Sequence, residues 1–191
     1  MKVAVIGRGN IGGTIGRALS GAGHEVVYGV RDPSSEADGT SVAGIAAAID
    51  GADAVLLAVP AKAVEQLLDE HAAALDGKLV VDATNNIGAP VANSSAAIAE
   101  AAPGARYARA FNSLGWENFA DPDFDGVTAD LLYSSAEADR DQVEELIAGV
   151  GLRPVFLGAD QQDLVDRLLP VWFTLVQLRG TRHLAFKVLE S

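Results

Sequence analysis

Short apolar runs alternate along the chain with stretches whose apolar residues recur at helical spacing. The runs predict buried strands at residues 3–6, 25–30, 54–59, 79–81, 106–111, 130–133 and 154–157. Between and after them, helical spacing predicts helices, among them an Ala-rich one at residues 42–49 and a long apolar one at residues 161–178. This alternation predicts an α/β fold with a doubly wound, mostly parallel sheet. We expect a single domain over residues 1–191, with a C-terminal helix and tail at residues 159–191 packed on it.

The first predicted strand is followed by glycines at the G-x-G-x-x-G spacing, namely Gly7, Gly9 and Gly12. In this setting Gly7 allows a tight turn, Gly9 lets the backbone approach a pyrophosphate, and Gly12 lets the helix pack closely on the strand. The start of the helix adds unpaired N–H groups and the positive end of its dipole, which favour an anion. Because the glycines stand between a strand and a helix, they predict dinucleotide binding.

The end of the second predicted strand distinguishes NADP from NAD. An acidic residue there binds the ribose hydroxyls of NAD, whereas an Arg pairs with the 2′-phosphate of NADP. Val30 stands where the acid is expected, Arg31 follows it, and Arg8 adds a second cation at the same edge of the sheet. We therefore expect NADP (NADPH) as the cofactor. Asp32 leaves the use of NAD open, since a shift of one residue would bring it to the ribose.

The ends of the third and fourth predicted strands complete the nucleotide site. The third strand closes with Ala58, Val59, Pro60 and Ala61, and Asn85 follows the fourth. Because ligands of this fold bind outside the carboxyl ends of the strands, these residues would face the ribose and the nicotinamide. Asn85 would hydrogen-bond a hydroxyl or carboxamide there, or would only form the turn.

Composition and charge exclude several other functions. A formal net charge of -12 over 191 residues argues against binding to nucleic acid or to an anionic membrane. The chain has no cysteine, so it has no disulfide and no thiol nucleophile. The first strand begins so early that no signal peptide is expected, and we expect a cytoplasmic protein. Histidines and acids show no catalytic or metal-ligating spacing, so we expect no catalytic residue and no metal. Direct hydride transfer needs only positioning and the exclusion of water.

A second substrate has a candidate binding loop after the fifth predicted strand, in the sequence FNSLGWENF at residues 111–119. The predicted substrate-contacting residues of this loop are Asn112, Ser113, Leu114, Gly115 and Trp116. Their amide and hydroxyl groups would supply polar contacts and their apolar side chains the walls. The alternative is a structural loop that plugs the edge of the domain.

A cationic stretch near the end of the chain has two interpretations. Its charged residues are Arg167, Arg179, Arg182 and Lys187. In so acidic a chain these cations would attract an anionic second substrate. Alternatively, they only complement the C-terminal end of the last helix.

The motifs GRGNIG, GHEVVYGVRDP, DAVLLAVP, DATNN, ARAFNSLGWENF and LVDRLLP…RGTRHLAFKVL occur in this order. Together they resemble the NADPH:deazaflavin coenzyme (factor 420) oxidoreductases and their bacterial relatives. The resemblance implies a Rossmann domain, usually in a homodimer, that passes hydride between nicotinamide C4 and deazaflavin C5 in stacked rings. It implies pyrophosphate contacts from Arg8, Gly9, Asn10 and Ile11, and a 2′-phosphate contact from Arg31. It further implies nicotinamide contacts from Val59, Pro60 and Ala61, and acceptor contacts from Asn112, Ser113 and Leu114.

The sequence departs from the family pattern in three places. Val30 replaces a small hydroxyl residue, Asn112 stands where archaeal members carry His, and the segment between Arg31 and Ala54 is short and lacks a helix of the family pattern. Other acceptors therefore stay open, namely a flavin, a ferric chelate, or a small carbonyl or imine. A non-catalytic sensor of NADP(H) is the alternative from a different class.

Overall fold

The computed structural model describes residues 1–34 and 41–190, and an eight-stranded sheet runs through this part of the chain. In chain order the strands are β1 (Lys2–Ile6), β2 (Glu25–Val30), β3 (Ser41–Gly44), β4 (Ala54–Leu57), β5 (Leu79–Asp82), β6 (Arg106–Arg109), β7 (Asp123–Phe124), β8 (Val127–Thr128), β9 (Asp130–Ser135) and β10 (Arg153–Phe156). Strands β7 and β8 form a separate antiparallel pair. All other strands belong to the large sheet.

The order of the large sheet is β10-β9-β6-β5-β4-β1-β2-β3. From β3 to β6 every neighbouring pair is parallel, while β9 is antiparallel to β6 and β10 is parallel to β9. The chain thus starts in the middle at β1, winds outward to β3, and returns to build β4, β5 and β6 on the other side. This confirms the doubly wound, mostly parallel α/β fold, and it places the reversal of strand order between β1 and β4.

Helices cover both faces of the sheet. They are α1 (Asn10–Gly21), α2 (Ile45–Asp50), α3 (Val64–Leu75), α4 (Ser95–Ala101), α5 (Trp116–Ala120), α6 (Arg140–Gly149), α7 (Gln162–Asp166) and α8 (Leu168–Arg179). Alternate residues of β1 enter different cores, because side chains of a strand point to opposite faces. Val3 and Val5 pack with the α1 and α6 side, and Ala4 and Ile6 pack with the α2 and α3 side. The central strands are therefore apolar on both faces.

Residues 42–49 do not form the single helix that their Ala-rich composition predicts. Val42 and Ala43 lie in β3 and pair with Tyr28 and Gly29 of β2, and α2 starts only at Ile45. Pairing with an exposed strand edge supplies hydrogen bonds that a short helix cannot match, so tertiary structure overrides the local preference. A helix, α2, does occupy part of the segment between Arg31 and Ala54. The sequence Asp-Pro-Ser-Ser at residues 32–35 is typical of a turn; the structure describes it as far as Ser34, and residue 35 lies outside the described residues.

The long helix predicted at residues 161–178 is present as α7 and α8, separated by a turn at Arg167. Pro170 explains this interruption, because it has no N–H to donate to the carbonyl of Asp166. The described chain contains no helix with both the length and the apolar character that a bilayer crossing requires.

The cationic C-terminal segment is tied to the rest of the molecule by ion pairs. Arg182 Nε lies 2.5 Å from Glu117 Oε1, and Lys187 Nζ lies 3.0 Å from Asp130 Oδ1. Asp130 is fully buried and also accepts hydrogen bonds from Arg153 Nε and Nη2 at 2.7 and 2.6 Å. Two of the four cations thus balance acidic residues of the same chain.

Candidate functional site

The turn after β1 depends on glycine at two positions. Gly7 has a φ of 100°, and a Cβ there would lie 2.5 Å from the carbonyl oxygen of Ala58. A Cβ on Gly12 would overlap the carbonyl oxygen of Gly7, so the first turn of α1 can approach β1 only without a side chain. These two glycines are required by the fold itself, as the motif predicts.

Gly9 differs from its neighbours because the protein alone does not require it. Its φ of -73° is accessible to any residue, and a Cβ would meet no atom within 4 Å. Gly9 directly precedes α1, and no side chain caps that helix. The open space and the unpaired N–H groups at the helix start form a cradle that suits an anion such as a pyrophosphate.

A cleft with a volume of about 320 Å³ lies beside this cradle, at the carboxyl ends of β1, β4 and β5. It is lined by Gly9, Asn10, Ile11, Ala58, Val59, Pro60, Ala83, Thr84 and Asn85. The structure thus brings together most of the residues that the sequence assigns to the nucleotide, and adds Ala83 and Thr84. None of the described lining residues has a titratable side chain.

The end of β2 lies at the same edge and carries the residues that bear on NADP and NAD. Val30 is half-buried, while Arg31 and Asp32 are exposed. Asp32 Oδ1 accepts hydrogen bonds from Ser34 Oγ at 2.6 Å and from Ser34 N at 3.0 Å. The side-chain bond and then the backbone bond hold the pKa of Asp32 below its usual value. This oxygen therefore stabilises its own turn, and the neighbouring Arg31 carries the positive charge that suits a phosphate.

Arg8 reaches toward β2. Its guanidinium carbon lies 6.0 Å from the centre of the Tyr28 ring, and the Tyr28 hydroxyl donates to the carbonyl of Gly13 in α1. The aromatic ring thus connects the glycine turn with the strand that leads to Arg31. Arg8 stands on the β2 side of the turn, consistent with the phosphate contact that the sequence assigns to it.

Behind the cleft lies a buried cation that the sequence interpretation missed. Arg109, the last residue of β6, is fully buried. Its Nη1 donates to the carbonyls of Asp82 and Thr84 at 3.0 and 2.6 Å, and its Nε donates to Asp166 Oδ1 at 2.7 Å. Its position within a predicted buried strand was the signal that could have revealed it. An Arg that is buried there requires acidic or carbonyl partners nearby.

Asp82 and Asp166 flank Arg109. Asp82, the fully buried last residue of β5, accepts hydrogen bonds from the Thr84 backbone and hydroxyl, from Ser94 N and from Tyr107 Oη. Burial and the negative charge of Asp82 raise the pKa of the Tyr107 hydroxyl far above its usual value, so it stays a donor. Asp166 comes from α7, so this ionic network joins β5, β6 and the C-terminal helices.

The loop after β6 is mostly buried. Asn112, Ser113, Leu114 and Gly115 have almost no exposed surface, whereas Trp116 is 37% exposed. Leu114 packs into the core that includes α1. The preceding residue, Phe111, has a φ of 61°, a strained conformation for a non-glycine residue that often marks functional loops. Contact of this loop with a second substrate stays a prediction, with Trp116 as its most accessible member.

Three polar atoms of residues 111–119 are buried and lack a hydrogen-bond partner among the described residues. They are Asn112 Oδ1 and Ser113 Oγ, which precede α5, and Glu117 Oε2 within α5. Buried polar atoms of proteins are normally hydrogen-bonded, so these atoms have capacity for a ligand or a water. Asn112 is otherwise held in place, because its Nδ2 donates to Asp166 and its carbonyl accepts from Asn85.

No His, Asp or Glu group with the geometry of a metal site occurs in residues 1–34 and 41–190. The histidines lie away from the cleft lining. His24 Nδ1 is 3.4 Å from the N-terminal nitrogen, and His183 is stacked on Phe124 and lies 2.8 Å from the carbonyl of Asp121. Each described histidine contact is thus compatible with a structural role.

Comparisons with known proteins bear on the fold and on the cofactor. Residues 2–86 match the family model "NADP oxidoreductase coenzyme F420-dependent". A solved structure of a proposed F420-dependent NADP reductase from Arthrobacter sp. FB24 superposes with a TM-score of 0.85 at 27% identity, covering 100% of both chains. A reductive aminase from Aspergillus terreus in complex with NADPH shares the fold, with a TM-score of 0.73 at 24% identity over 94% of this chain and 62% of that one.

A curated relative is the glycerol-3-phosphate dehydrogenase [NAD(P)+] of Pseudomonas syringae pv. syringae (strain B728a). It is 30% identical over 104 residues, which are 44% of this chain and 30% of the relative. The match thus spans less than a third of that enzyme's length. The family and these neighbours are oxidoreductases that use NAD(P), and the family is specifically NADP-dependent. The resemblance to the coenzyme F420-dependent NADP oxidoreductases that the sequence motifs indicate is therefore confirmed by the match over residues 2–86 and by the full-length structural neighbour.

Proposed function

We propose that this protein is an oxidoreductase that transfers a hydride between NADP(H) and a deazaflavin coenzyme stacked against the nicotinamide. The observation that carries the proposal is the chemistry of the cleft lining, which consists of glycine, alanine, valine, isoleucine, proline, threonine and asparagine. A carbonyl or imine acceptor needs a proton as well as a hydride, and a titratable side chain usually supplies it. Direct transfer between two rings requires only that the rings be held together without water.

The cofactor contacts follow from the position of each residue around the cleft. Arg8, Gly9, Asn10 and Ile11 at the start of α1 would hold the pyrophosphate, and Arg31 would hold the 2′-phosphate with Arg8 as the second cation at this edge. Val59, Pro60 and Ala61 would form an apolar wall at the nicotinamide, while Asn85 would hydrogen-bond its ribose or carboxamide. When bound, NADPH supplies the hydride. The protein's share of the reaction is to bind, orient and exclude water.

We place the acceptor against the loop after β6, whose Asn112 carbonyl accepts a hydrogen bond at 2.8 Å from Asn85 of the cleft lining. Trp116 offers an exposed aromatic surface there, and Asn112 Oδ1 and Ser113 Oγ have unused hydrogen-bonding capacity. The full-length likeness to the Arthrobacter protein supports a deazaflavin acceptor in preference to a flavin or a ferric chelate.

We further propose that the protein is a homodimer formed through α7 and α8. Val171 and Leu178, seven residues apart on α8, are 49% and 75% exposed and form an apolar stripe, and Leu164 of α7, 45% exposed, precedes them across the turn at Arg167. The start of this helical pair carries the exposed Asp163 and its end the exposed Arg179. Antiparallel pairing of two copies about a twofold axis near Val171 would cover both stripes and set the acidic end of one against the basic end of the other.

The acceptor is tested by following NADPH oxidation without oxygen in the presence of a deazaflavin coenzyme, FMN, ferric citrate or a cyclic imine. We expect fast reduction of the deazaflavin and little of the others. Preferential reduction of another acceptor would replace the deazaflavin assignment. NADPH binding, seen by fluorescence, without reduction of any acceptor would favour a sensor.

Arg31→Ala tests the choice of cofactor. Loss of a charge-assisted pair with the 2′-phosphate should weaken NADPH binding by about 1.5–3 kcal/mol, while NADH binding should hardly change. Arg17→Ala is the matched control, because Arg17 lies within α1 and donates to Thr14 of the same helix. Titration of both nucleotides by calorimetry gives the comparison. An equal loss for NADPH and NADH would contradict the assignment of NADP.

Two glycine substitutions separate ligand binding from folding. Gly9→Ala should leave the melting temperature unchanged and weaken NADPH binding by about tenfold or more (about 1.4 kcal/mol), because its methyl group would enter the pyrophosphate cradle. Gly12→Ala should instead destabilise the fold by roughly 1–3 kcal/mol, since its Cβ would overlap the carbonyl of Gly7. Thermal melts and NADPH titrations measure both. Full NADPH affinity in Gly9→Ala would contradict the assignment of the pyrophosphate to this position.

The dimer is tested with Val171→Glu at the centre of the stripe. Repulsion of two buried carboxylates about the twofold axis should convert the dimer to a folded monomer, as measured by sedimentation or light scattering. Val127→Glu, which changes another half-exposed valine in β8, is the control and should leave the dimer intact. A wild-type protein that is monomeric at micromolar concentration would disprove this assembly.

A further inference from the structure

Arg109 has all of its donors committed although it does not line the cleft. Its Nε and Nη1 groups bond Asp166 and the carbonyls of Asp82 and Thr84, as described above. Its Nη2 donates to Asn85 Oδ1 at 3.1 Å and lies 2.6 Å from Asp166 Oδ1. Since a guanidinium has five N–H groups, this arrangement leaves none for a ligand. Arg109 can therefore act on the cleft only through the residues that it holds.

The residue that Arg109 holds at the cleft is Asn85. The Asn85 amide is fixed at both ends, because its Oδ1 accepts from Arg109 and its Nδ2 donates to the carbonyl of Asn112 at 2.8 Å. Arg109 is a donor only, so the oxygen of the amide must be the atom that faces it. One N–H and one lone pair of the amide remain, and Asn85 lines the cleft. The direction of this remaining hydrogen-bonding capacity is thus set by Arg109.

Asp166 anchors Arg109 from the opposite side. Its Oδ1 accepts from Arg109 Nε and from Asn112 Nδ2 at 3.1 Å, and its Oδ2 accepts from Asn93 at 2.7 Å. The same carboxylate therefore fixes the guanidinium and the loop whose carbonyl holds the Asn85 amide. Loss of its charge would leave Arg109 with Asp82, whose Oδ2 lies 3.3 Å from Nη1. The guanidinium would then have reason to shift toward β5 and release Asn85.

We propose that Arg109, anchored by Asp166, is a positioning residue that orients the Asn85 amide toward the nicotinamide half of NADP(H). This inference rests on the proposed NADP(H) function. It predicts a selective effect, since the adenosine half binds near β2 and the start of α1, away from the ionic network. A defect in the network should be felt by the whole dinucleotide but not by its adenosine fragment.

Asp166→Asn tests the proposal, with NADPH and adenosine 2′,5′-bisphosphate as probes in calorimetric titrations. We expect NADPH binding to weaken about tenfold and binding of the bisphosphate to change by less than about twofold. Asn85→Ala should give the same selective loss. Because Asp166 acts through Asn85, the double variant should bind NADPH no more weakly than Asn85→Ala alone.

Asp130→Asn is the matched control. Asp130 is another buried carboxylate that pairs with an arginine, but it lies with the C-terminal tail, away from the cleft lining. Asp130→Asn should lower the melting temperature and leave the ratio of the NADPH and bisphosphate affinities unchanged. Asn85→Asp keeps a carboxylate oxygen for Arg109 but loses the amide donors and sets its second oxygen against the Asn112 carbonyl, so its melting temperature is measured together with both affinities. It should weaken NADPH and spare the bisphosphate.

Three outcomes would overturn the inference. These are an equal loss of NADPH and bisphosphate in Asp166→Asn, additive losses in the double variant, or full NADPH affinity in Asn85→Asp. A wild-type protein that binds neither probe would instead overturn the proposed function itself. The two failures are thus distinguishable.

Discussion

The satisfaction of one buried charge organises the functional edge of this molecule. Arg109 has no exposed surface, so its desolvation must be offset by carbonyls and carboxylates in good geometry. Those groups come from the end of β5 and from α7, which the guanidinium joins at the carboxyl edge of the sheet. Removing one partner of such a pair typically costs about 3–5 kcal/mol, so the arrangement around Arg109 is strongly determined. The position of the Asn85 amide depends on this arrangement, because Arg109 donates to its Oδ1.

The cradle on the other side of the cleft has a different physical basis. It follows from backbone geometry at Gly7 and Gly12, where a side chain would collide with neighbouring carbonyls. The approach of Gly12 to Gly7 is local in the sequence, and Gly7 meets Ala58 because β1 and β4 lie side by side, so a spacing of glycines after an apolar run sufficed to predict the turn. The lining of the cleft by Ala58, Val59 and Pro60 could also be predicted from the sequence, because the carboxyl ends of neighbouring parallel strands lie side by side.

Contacts between distant parts of the chain could not be predicted from local sequence patterns. Arg109 and Asp166 are 57 residues apart, and no local periodicity indicates that they pair. The short strand β3 was read as helix because its sheet edge partner, β2, does not enter a local pattern. The sequence offered the loop after β6 either as a substrate-contacting loop through Asn112 and Ser113 or as a plug of the domain edge, and its path is set by burial of Phe111 and Leu114 in the core. In each case tertiary packing decided what local sequence left open.

The separation of charge from the cleft lining bears on the kind of reaction that the site suits. Three charged residues, Asp82, Arg109 and Asp166, lie behind the cleft and bind each other and the backbone. They contact the lining at the neutral amide of Asn85, to which Arg109 donates. A neutral amide can orient a ligand by hydrogen bonding, but it is too weak an acid to transfer a proton to it. An acceptor that needs a proton would have to obtain it from solvent or from residues outside this lining, whereas two stacked rings that exchange only a hydride need no such source. The rigidity of the network then contributes in the way such a transfer requires, by limiting the number of orientations that the bound nicotinamide can adopt.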